Sequence, residues 1–331
     1  MMTGFDEEAY AESLRRAATF IREGDDFLVV SHLSPDGDAI SSTGAIGLLL
    51  KSLGKTYTLI NEGRTPEKYE SLLAAQPIVD YSASPPNRRF QRIIAVDCAD
   101  FARIGDVHQA FEERASLLNI DHHPTNDLYG THNLVKPHAA ATVEIIFELA
   151  ETLGVEWTKE LATCVYAGLL TDTGGFRYAN TTPAVFAIAE RMLRYGAEGA
   201  SLAERLLETM SYAQVLLLKE TLSTLSFSSD KRIAWVCVSL ETLKRLGAAD
   251  EDSEGLVNVP RNVFGVEVGM LFKQKSEDTV KVSLRSAGKV DVARLAKSFG
   301  GGGHVRAAGC TINGTLDEAV RRLVEAVNAE L

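Results

Sequence analysis

Four short segments of this sequence carry aspartates at the end of a run of apolar residues, and two of the four also carry histidines. In chain order the segments are SHLSPDGDAISS with His32, Asp36 and Asp38, RIIAVD with Asp97, LLNIDHH with Asp121, His122 and His123, and VYAGLLTD with Asp172. Carboxylates that lie close together repel one another, so a protein that gathers them needs a cation to offset their charge. Mixed aspartate and histidine ligands suit manganese, and also magnesium, iron, cobalt or zinc.

Hydrophobic periodicity indicates how these segments are positioned. It predicts helices over 7–22, 39–53 and 141–154 and buried strands over 27–31, 56–60, 92–97 and 116–121. Apolar strands that alternate with helices are typical of an α/β domain with a mainly parallel sheet, whose strands end at one common edge where ligand sites form. We therefore expect six side chains to converge there and to hold two divalent metal ions: His32, Asp36, Asp38, Asp97, His122 and Asp172.

Each of these residues also has a simpler explanation. An isolated aspartate after a strand is commonly a helix N-cap or a turn residue. The DGD at 36–38 does not fit a calcium-binding EF-hand loop, because a strand precedes it and the twelfth position counted from Asp36 is Gly47. The DTG at 172–174 occurs once and follows a helical run, which argues against an aspartic protease. Adjacent histidines after a strand-terminal aspartate favour metal chemistry, whereas His108, His132 and His138 lack such neighbours.

The bulk composition is that of a globular protein without membrane spans. The chain has 331 residues, 45% of them hydrophobic, and no apolar run long enough to cross a bilayer. Its N-terminus is acidic and amphipathic, unlike a signal peptide. Four widely spaced cysteines without a CxxC pair are typical of reduced, buried thiols, so we expect a cytoplasmic protein. The net charge of -11 argues against a protein that coats long nucleic acids.

The pattern of the sequence changes after residue 226. Residues 158–225 are helical in pattern, interrupted by TDTGGFRYANTTP, whereas RIAWVCVSL, GVEVGMLFKQ and TVKVSLRS are strand candidates, followed by helices at about 291–299 and 316–330. The sequence thus predicts an α/β domain over 1–190 with flanking helices on its sheet, a helical connector over 191–227 and a smaller α+β domain over 228–331.

A glycine-rich segment of the second domain, SFGGGGHVRAAG, lies in a basic region: residues 261–306 contain nine Lys or Arg against four Asp or Glu. Glycines let the backbone approach a ligand closely and turn its N–H groups toward an anion. No Lys-Ser or Lys-Thr follows them, which excludes a Walker loop, and a helix-ending turn is the alternative. The candidates for binding a phosphate or nucleotide are Arg285, Ser286, Gly301, Gly302, Gly303 and His304, with Arg261 and Asn262 as weaker ones.

Taken in order, the motifs HLSPDGDAISS, AVDCAD, NIDHHPTN and GLLTDTGGFRY resemble the four metal-binding motifs of the DHH phosphoesterase superfamily. SLRS and FGGGGHVRAAG resemble the nucleotide-binding end of the DHH-associated C-terminal domain, and all the motifs together span about residues 27–310. Within the superfamily, the two-domain size and the GGGH motif are most similar to bacterial enzymes that degrade very short RNA and dephosphorylate 3′-phosphoadenosine 5′-phosphate, using manganese.

The resemblance implies a role for each motif residue. His32 and Asp36 would hold one manganese ion and Asp38, His122 and Asp172 the other, with Asp97 bridging the two. Asp121 would orient a ligand, and His123 would face the scissile phosphate as a hydrogen-bond donor or acid. A hydroxide that bridges the metals would attack phosphorus. The second domain would grip the terminal phosphate or adjacent nucleotide across a cleft.

The substrates implied by the resemblance are short single-stranded RNA or DNA oligonucleotides and adenosine bisphosphates. Relatives with these motifs differ in substrate, so a phosphodiesterase for cyclic di-AMP or linear di-adenylate is the alternative enzyme. A non-catalytic nucleotide sensor is the alternative from another class, and the intact ligand set argues against it because a sensor does not need a bridged metal pair. The sequence leaves open the metal bound, the polarity of degradation and the oligomeric state, for which a homodimer is one option.

Overall fold

The structure is a computed structural model that describes residues 5–73, 76–249 and 251–331. The chain divides into two compact units, Met1–Thr209 and Met210–Leu331. The α/β fold class is confirmed, with a parallel sheet in the first unit and a mixed sheet in the second. The division between the units falls within the predicted helical connector, whose own boundaries stay predictions. None of the helices in the described ranges is both long and apolar enough to cross a membrane.

Unit 1 is built on a six-stranded sheet with the order β3-β2-β1-β4-β5-β6, in which all neighbouring strands are parallel. The strands are β1 (Phe27–Val30), β2 (Tyr57–Asn61), β3 (Val79–Asp80), β4 (Phe90–Val96), β5 (Phe111–Asp121) and β6 (His132–Val135). The helices are α1 (Glu7–Glu23), α2 (Gly37–Ser52), α3 (Glu67–Glu70), α4 (Thr142–Leu153), α5 (Lys159–Asp172), α6 (Pro183–Arg194) and α7 (Gly199–Ala203). Short 3₁₀ segments occur at Ser71–Leu73 and Phe101–Ala110, and a π-helical turn at Glu204–Glu208.

The sheet of unit 1 is buried on both faces, which explains why its central strands have continuous apolar sequences. In β1, Phe27 and Val29 belong to the apolar core formed with α1, α2 and α4, whereas Leu28 and Val30 belong to the core on the other face. The strand predicted over 116–121 is longer in the structure, because the first part of β5 includes the exposed polar residues 112–114, which carry no apolar signal. The short strands β3 and β6 form the two edges and were not predicted.

Helices α2 and α5 lie in close contact because glycines stand where they meet. A Cβ atom on Gly37 would come within 2.5 Å of the Thr171 side chain, and one on Gly168 within 2.7 Å of Asp38 Oδ1. Real Cβ atoms do not make contacts this short, so a larger residue at either position would force the helices apart. The first turn of α2 thereby lies beside the last turn of α5, which ends at Asp172.

Unit 2 contains a six-stranded sheet with the order β11-β12-β10-β9-β8-β7, in which β8 and β9 are parallel and the other neighbouring pairs are antiparallel. The strands are β7 (Ser226–Phe227), β8 (Ile233–Val238), β9 (Val268–Ser276), β10 (Thr279–Ser286), β11 (Gly302–His304) and β12 (Ala307–Asn313). The helices are α8 (Tyr212–Ser223), α9 (Leu240–Leu246), α10 (Asn258–Arg261), α11 (Val292–Ser298) and α12 (Leu316–Asn328), with a 3₁₀ turn at Glu251–Ser253.

The glycine-rich segment of unit 2 differs from its predicted form. Gly302–His304 forms the edge strand β11, and AAGCTIN after it forms β12. The sequence did not predict either strand, because glycine and alanine have a low preference for strands. Position 301 requires glycine because the backbone of Gly309 lies too close for a side chain: a Cβ atom would lie 2.1 Å from the carbonyl oxygen of Gly309.

Candidate functional site

The six residues predicted to bind metal lie together in unit 1, and with His123 they form three groups that share members. The groups are His32, Asp36 and Asp97; Asp97, His122 and His123; and Asp38, His122 and Asp172. Within each group, one ligand atom per residue lies within 4.8 Å of the others. Asp97 and His122 each belong to two groups, so the cluster is continuous.

The elements of unit 1 position the cluster as a parallel sheet is expected to. His32 follows β1, Asp97 follows β4, and His122 follows β5, so three strand ends meet at one edge. Asp36 is the N-cap of α2, and its Oδ1 accepts hydrogen bonds of 3.1 Å from the backbone N–H groups of Asp38 and Ala39. The N-cap explanation and the ligand prediction therefore both apply to Asp36.

Backbone carbonyls orient two of the imidazole rings. His32 Nδ1 donates to the carbonyl oxygen of Leu33 at 2.8 Å, and His122 Nδ1 donates to that of Ala139 at 3.2 Å. Because a carbonyl oxygen only accepts, the proton of the neutral ring lies on Nδ1 and the lone pair on Nε2. In both residues Nε2 is the atom nearest the carboxylates of the cluster.

The spacing between these atoms fits shared metal ions better than direct hydrogen bonds. Nε2 of His32 lies 3.6 Å from Asp97 Oδ2, and Nε2 of His122 lies 3.7 Å from Asp97 Oδ1 and 3.5 Å from Asp172 Oδ2. Hydrogen bonds are shorter, at about 2.7–3.2 Å. Two ligands on one ion, with bonds of about 2.1 Å at angles of about 90–120°, stand roughly 3.0–3.6 Å apart. Donor types and spacing together fit divalent metals.

Asp97 occupies the centre of the cluster in an unfavourable backbone conformation. Its φ is +53°, in the left-handed region, which costs a residue other than glycine about 1–3 kcal/mol. Its N–H donates to the carbonyl oxygen of Ile120 at 2.9 Å, and its Oδ1 accepts from Thr142 Oγ1 at 2.9 Å. Strain of this kind is concentrated at functional sites, and here it directs a carboxylate into the cluster.

The N-terminus of α4 also belongs to the cluster, although the sequence argument did not include it. The backbone N–H groups of Thr142 and Val143 donate to Asp38 at 2.6 and 3.3 Å, so the positive end of the helix dipole faces this carboxylate. Thr142 thus contacts Asp38 through its N–H and Asp97 through its hydroxyl. The sequence feature that could have indicated this role is a hydroxyl residue, Thr142, at the start of the helix predicted over 141–154.

Asp121 lies behind His123. Its Oδ1 accepts from His123 Nδ1 at 2.7 Å, and its Oδ2 accepts from Asn126 Nδ2 at 2.6 Å. The carboxylate is fully buried, and these hydrogen bonds fix the orientation of the imidazole. Asn126 lies in the motif NIDHHPTN, but no sequence pattern predicts that Asp121 is its partner.

The charged groups of the cluster shift one another's pKa. Burial raises the pKa of Asp38, and the nearby carboxylates of Asp97 and Asp172 raise it further. Burial raises the pKa of Asp172 to about 7. Burial alone would lower the pKa of His122, but the surrounding carboxylates outweigh it and raise that pKa to about 9. Burial opposes ionisation of Asp97 as well, yet the imidazoles of His32 and His122 hold its pKa well below the usual range. Protons therefore offset part of the negative charge wherever no cation does.

In unit 2, the sheet places three of the predicted ligand-binding side chains on one face. His304 pairs with Ala307, Ala307 with Arg285, and Arg285 with Gly269, across the four strands β11, β12, β10 and β9. Directly paired residues of antiparallel strands point to the same face. A Cβ atom on Gly269 would lie 2.5 Å from the Cβ of Arg261, so Arg261 lies on this face too. We call Arg261, Arg285 and His304 the basic row.

Ser286 lies away from the basic row. It is only 2% exposed, and its hydroxyl donates to Glu267 Oε1 at 3.2 Å. Its hydroxyl thus has a protein partner, whereas Gly302, Gly303 and His304 of β11 are exposed. Asn262 accepts from Arg261 Nη1 at 3.2 Å.

Known proteins resemble this chain along almost its whole length. The protein-family model described as the DHH family, N-terminal domain, matches residues 26–169. The family model of the DHHA1 domain matches residues 234–331. The bifunctional oligoribonuclease and PAP phosphatase NrnA of Thermus thermophilus is 38% identical over 98% of this chain and 96% of that protein. The protein of the same name from Bacillus subtilis is 30% identical over 91% of this chain and 93% of that protein. The crystal structure of an exopolyphosphatase-related protein from Bacteroides fragilis matches with a TM-score of 0.87 and 27% identity, over 96% of both chains.

Proposed function

This chain belongs to the DHH phosphoesterase family, and from that premise we propose that it hydrolyses very short RNA to mononucleotides and dephosphorylates 3′-phosphoadenosine 5′-phosphate (PAP). The observation that carries the proposal is full-length similarity to relatives whose names give both activities. The family matches cover a DHH domain and a DHHA1 domain, so both domains are present in this chain.

We propose manganese as the metal, because the mixed carboxylate and imidazole set suits it. His32, Asp36 and Asp97 would hold one ion, and Asp38, His122 and Asp172 the other, with Asp97 shared between them. When bound, two such ions supply positive charge that polarises the phosphoryl oxygens and eases the loss of a proton from the attacking water.

Residues of the chain itself supply orientation and proton transfer. Hydrolysis joins a water oxygen to phosphorus, breaks the bond from phosphorus to the leaving oxygen and places a proton on that oxygen. We assign this proton to His123, because Asp121 accepts a hydrogen bond from its Nδ1 at 2.7 Å and so fixes the orientation of an imidazole that can donate a proton. The basic row would bind the terminal phosphate or adjacent nucleotide of the substrate.

The test is a panel of substrates given to the purified full-length chain with manganese, magnesium or a chelator. The panel contains very short RNAs, a long RNA, PAP, cyclic di-AMP and linear di-adenylate. We expect mononucleotides from the short RNAs, phosphate from PAP, little product from the long RNA and none with the chelator. Faster hydrolysis of cyclic or linear di-adenylate than of any short RNA would favour the phosphodiesterase alternative, and tight nucleotide binding without turnover would favour the sensor.

A further inference from the structure

A buried carboxylate in unit 2 lies outside the set of residues that the sequence assigned to ligand binding. Glu267, directly before β9, is 8% exposed. Its Oε1 accepts from the backbone N–H groups of Gly288, Lys289 and Val290 at 3.0, 2.5 and 3.3 Å, and from the Ser286 hydroxyl at 3.2 Å. A buried charge is costly unless hydrogen bonds compensate it. Four donors directed at one oxygen mean that the loop 286–290 is folded around this carboxylate.

The same loop is connected to two parts of the basic row, Arg285 and the turn beside His304. It begins directly after Arg285, and the N–H of Ser286 donates to the carbonyl oxygen of Arg306 at 3.0 Å. Arg306 lies in the turn that follows His304. Its guanidinium lies over Gly288, where a Cβ atom would come within 3.0 Å of it, and the φ of +136° at Gly288 also favours glycine. The loop therefore continues directly from Arg285 and is hydrogen-bonded to the turn beside His304.

We propose that Glu267 is the positioning residue of the basic row. Its charge draws the donors of loop 286–290 inward and holds Arg285 and His304 in the arrangement that binds the substrate's phosphate or nucleotide. Glu267 does not touch the ligand, and its four donors disperse its negative charge, so it does not expel an anion from the row. This inference rests on the proposed function, because it takes the basic row to be the substrate-binding surface.

The substitution Glu267→Gln keeps the shape of the side chain and removes its charge. Hydrogen bonds to a neutral carbonyl are weaker than those to a carboxylate, so the loop loosens and substrate binding must order it again. We expect KM for PAP and for short RNA to rise about tenfold. We expect kcat to stay within about twofold of the wild-type value, because the groups proposed for the chemistry all lie in unit 1.

A matched control exists in the same unit. Glu318 Oε2 accepts from the N–H and the hydroxyl of Thr315 at 2.9 and 3.1 Å, at the start of α12. Glu318→Gln removes a carboxylate whose hydrogen bonds are to Thr315, at the start of α12, and not to loop 286–290. It should lower the melting temperature without changing KM.

Steady-state kinetics and thermal unfolding of the full-length wild-type chain, Glu267→Gln and Glu318→Gln test whether Glu267 positions the basic row. A wild-type KM in Glu267→Gln, or a loss of kcat alone, overturns the proposal, since a purely structural role lowers the amount of active enzyme and not its affinity. If that variant does not fold, Glu267→Asp, which keeps the charge on a shorter side chain, carries the same test with a smaller rise in KM. If the wild-type chain turns over neither substrate, the proposed function fails instead, and calorimetric binding of PAP to wild type and variant then tests Glu267 alone.

Discussion

Replacing Thr142 with valine tests whether the N-terminus of α4 holds the carboxylate of Asp97, which we propose to be shared by the two metal ions, in place. The Thr142 hydroxyl donates to Asp97 Oδ1 at 2.9 Å and the residue is fully buried. Valine has the same shape, so the substitution opens no cavity, and the backbone N–H that bonds Asp38 stays. A lost hydrogen bond to a buried charged acceptor costs about 1.5–3 kcal/mol. At about 1.4 kcal/mol for each tenfold change, kcat/KM should fall roughly 10- to 150-fold.

The assay measures hydrolysis of PAP by wild type and variant across a range of manganese concentrations, with thermal unfolding of both proteins. A misdirected Asp97 should appear as weaker manganese binding, lower kcat at saturating metal, or both, because this carboxylate belongs to two ligand groups. Thr142→Ser keeps the hydroxyl and should stay within about threefold of wild type. A valine variant with wild-type activity at limiting manganese would show that the Thr142 hydroxyl does not hold Asp97 in place.

Three further predictions concern the ligands, the basic row and pH. Asp97→Asn should abolish nearly all manganese-dependent turnover, and substantial activity of this variant after stringent purification would disprove the bridging role of Asp97. The control is Asp100→Asn, which should stay active because asparagine keeps an oxygen that can cap the 3₁₀ segment Phe101–Ala110. His304→Ala should raise KM for short RNA without changing manganese content, and an equal loss of manganese would indicate a structural role instead. Because burial raises the pKa of Asp172 to about 7, and carboxylates raise that of His122 to about 9 against the effect of burial, protons compete with the ion below these values. Manganese affinity should therefore rise from about pH 6 to about pH 9, with proton release visible by calorimetry in buffers of different ionisation enthalpy; a flat or falling affinity would contradict this.

The convergence of the predicted metal ligands was accessible from sequence because it depends on a simple rule of architecture. Apolar runs such as FLVVS and RIIAVD end in acidic or imidazole residues, and parallel strands bring their carboxyl ends to one edge of the sheet. The supporting contacts were not accessible in the same way. Thr142 meets Asp38 only through the packing of helices distant in sequence, and the glycines at 37 and 168 reveal their role only when a Cβ atom is seen to collide across that contact.

In unit 2, the local sequence pattern was not sufficient to predict the burial of Glu267 or the strands β11 and β12. The segment GVEVGMLFKQ was correctly predicted as a strand, yet nothing local shows that Glu267 is buried, since its four donors come from a loop that returns after β10. The strands β11 and β12 were missed because glycine and alanine carry little strand signal, although their pairing aligns His304 with Arg285. Arg261, Arg285 and His304 were identified by type and by family resemblance, and their shared face became visible only in the register of the sheet.

Diffraction at the manganese absorption edge, from crystals of the full-length chain grown with manganese, would locate the two proposed ions. We expect two anomalous peaks in unit 1, one bonded to His32, Asp36 and Asp97 and the other to Asp97, Asp38, His122 and Asp172. A single peak, or two peaks that Asp97 does not join, would contradict this expectation.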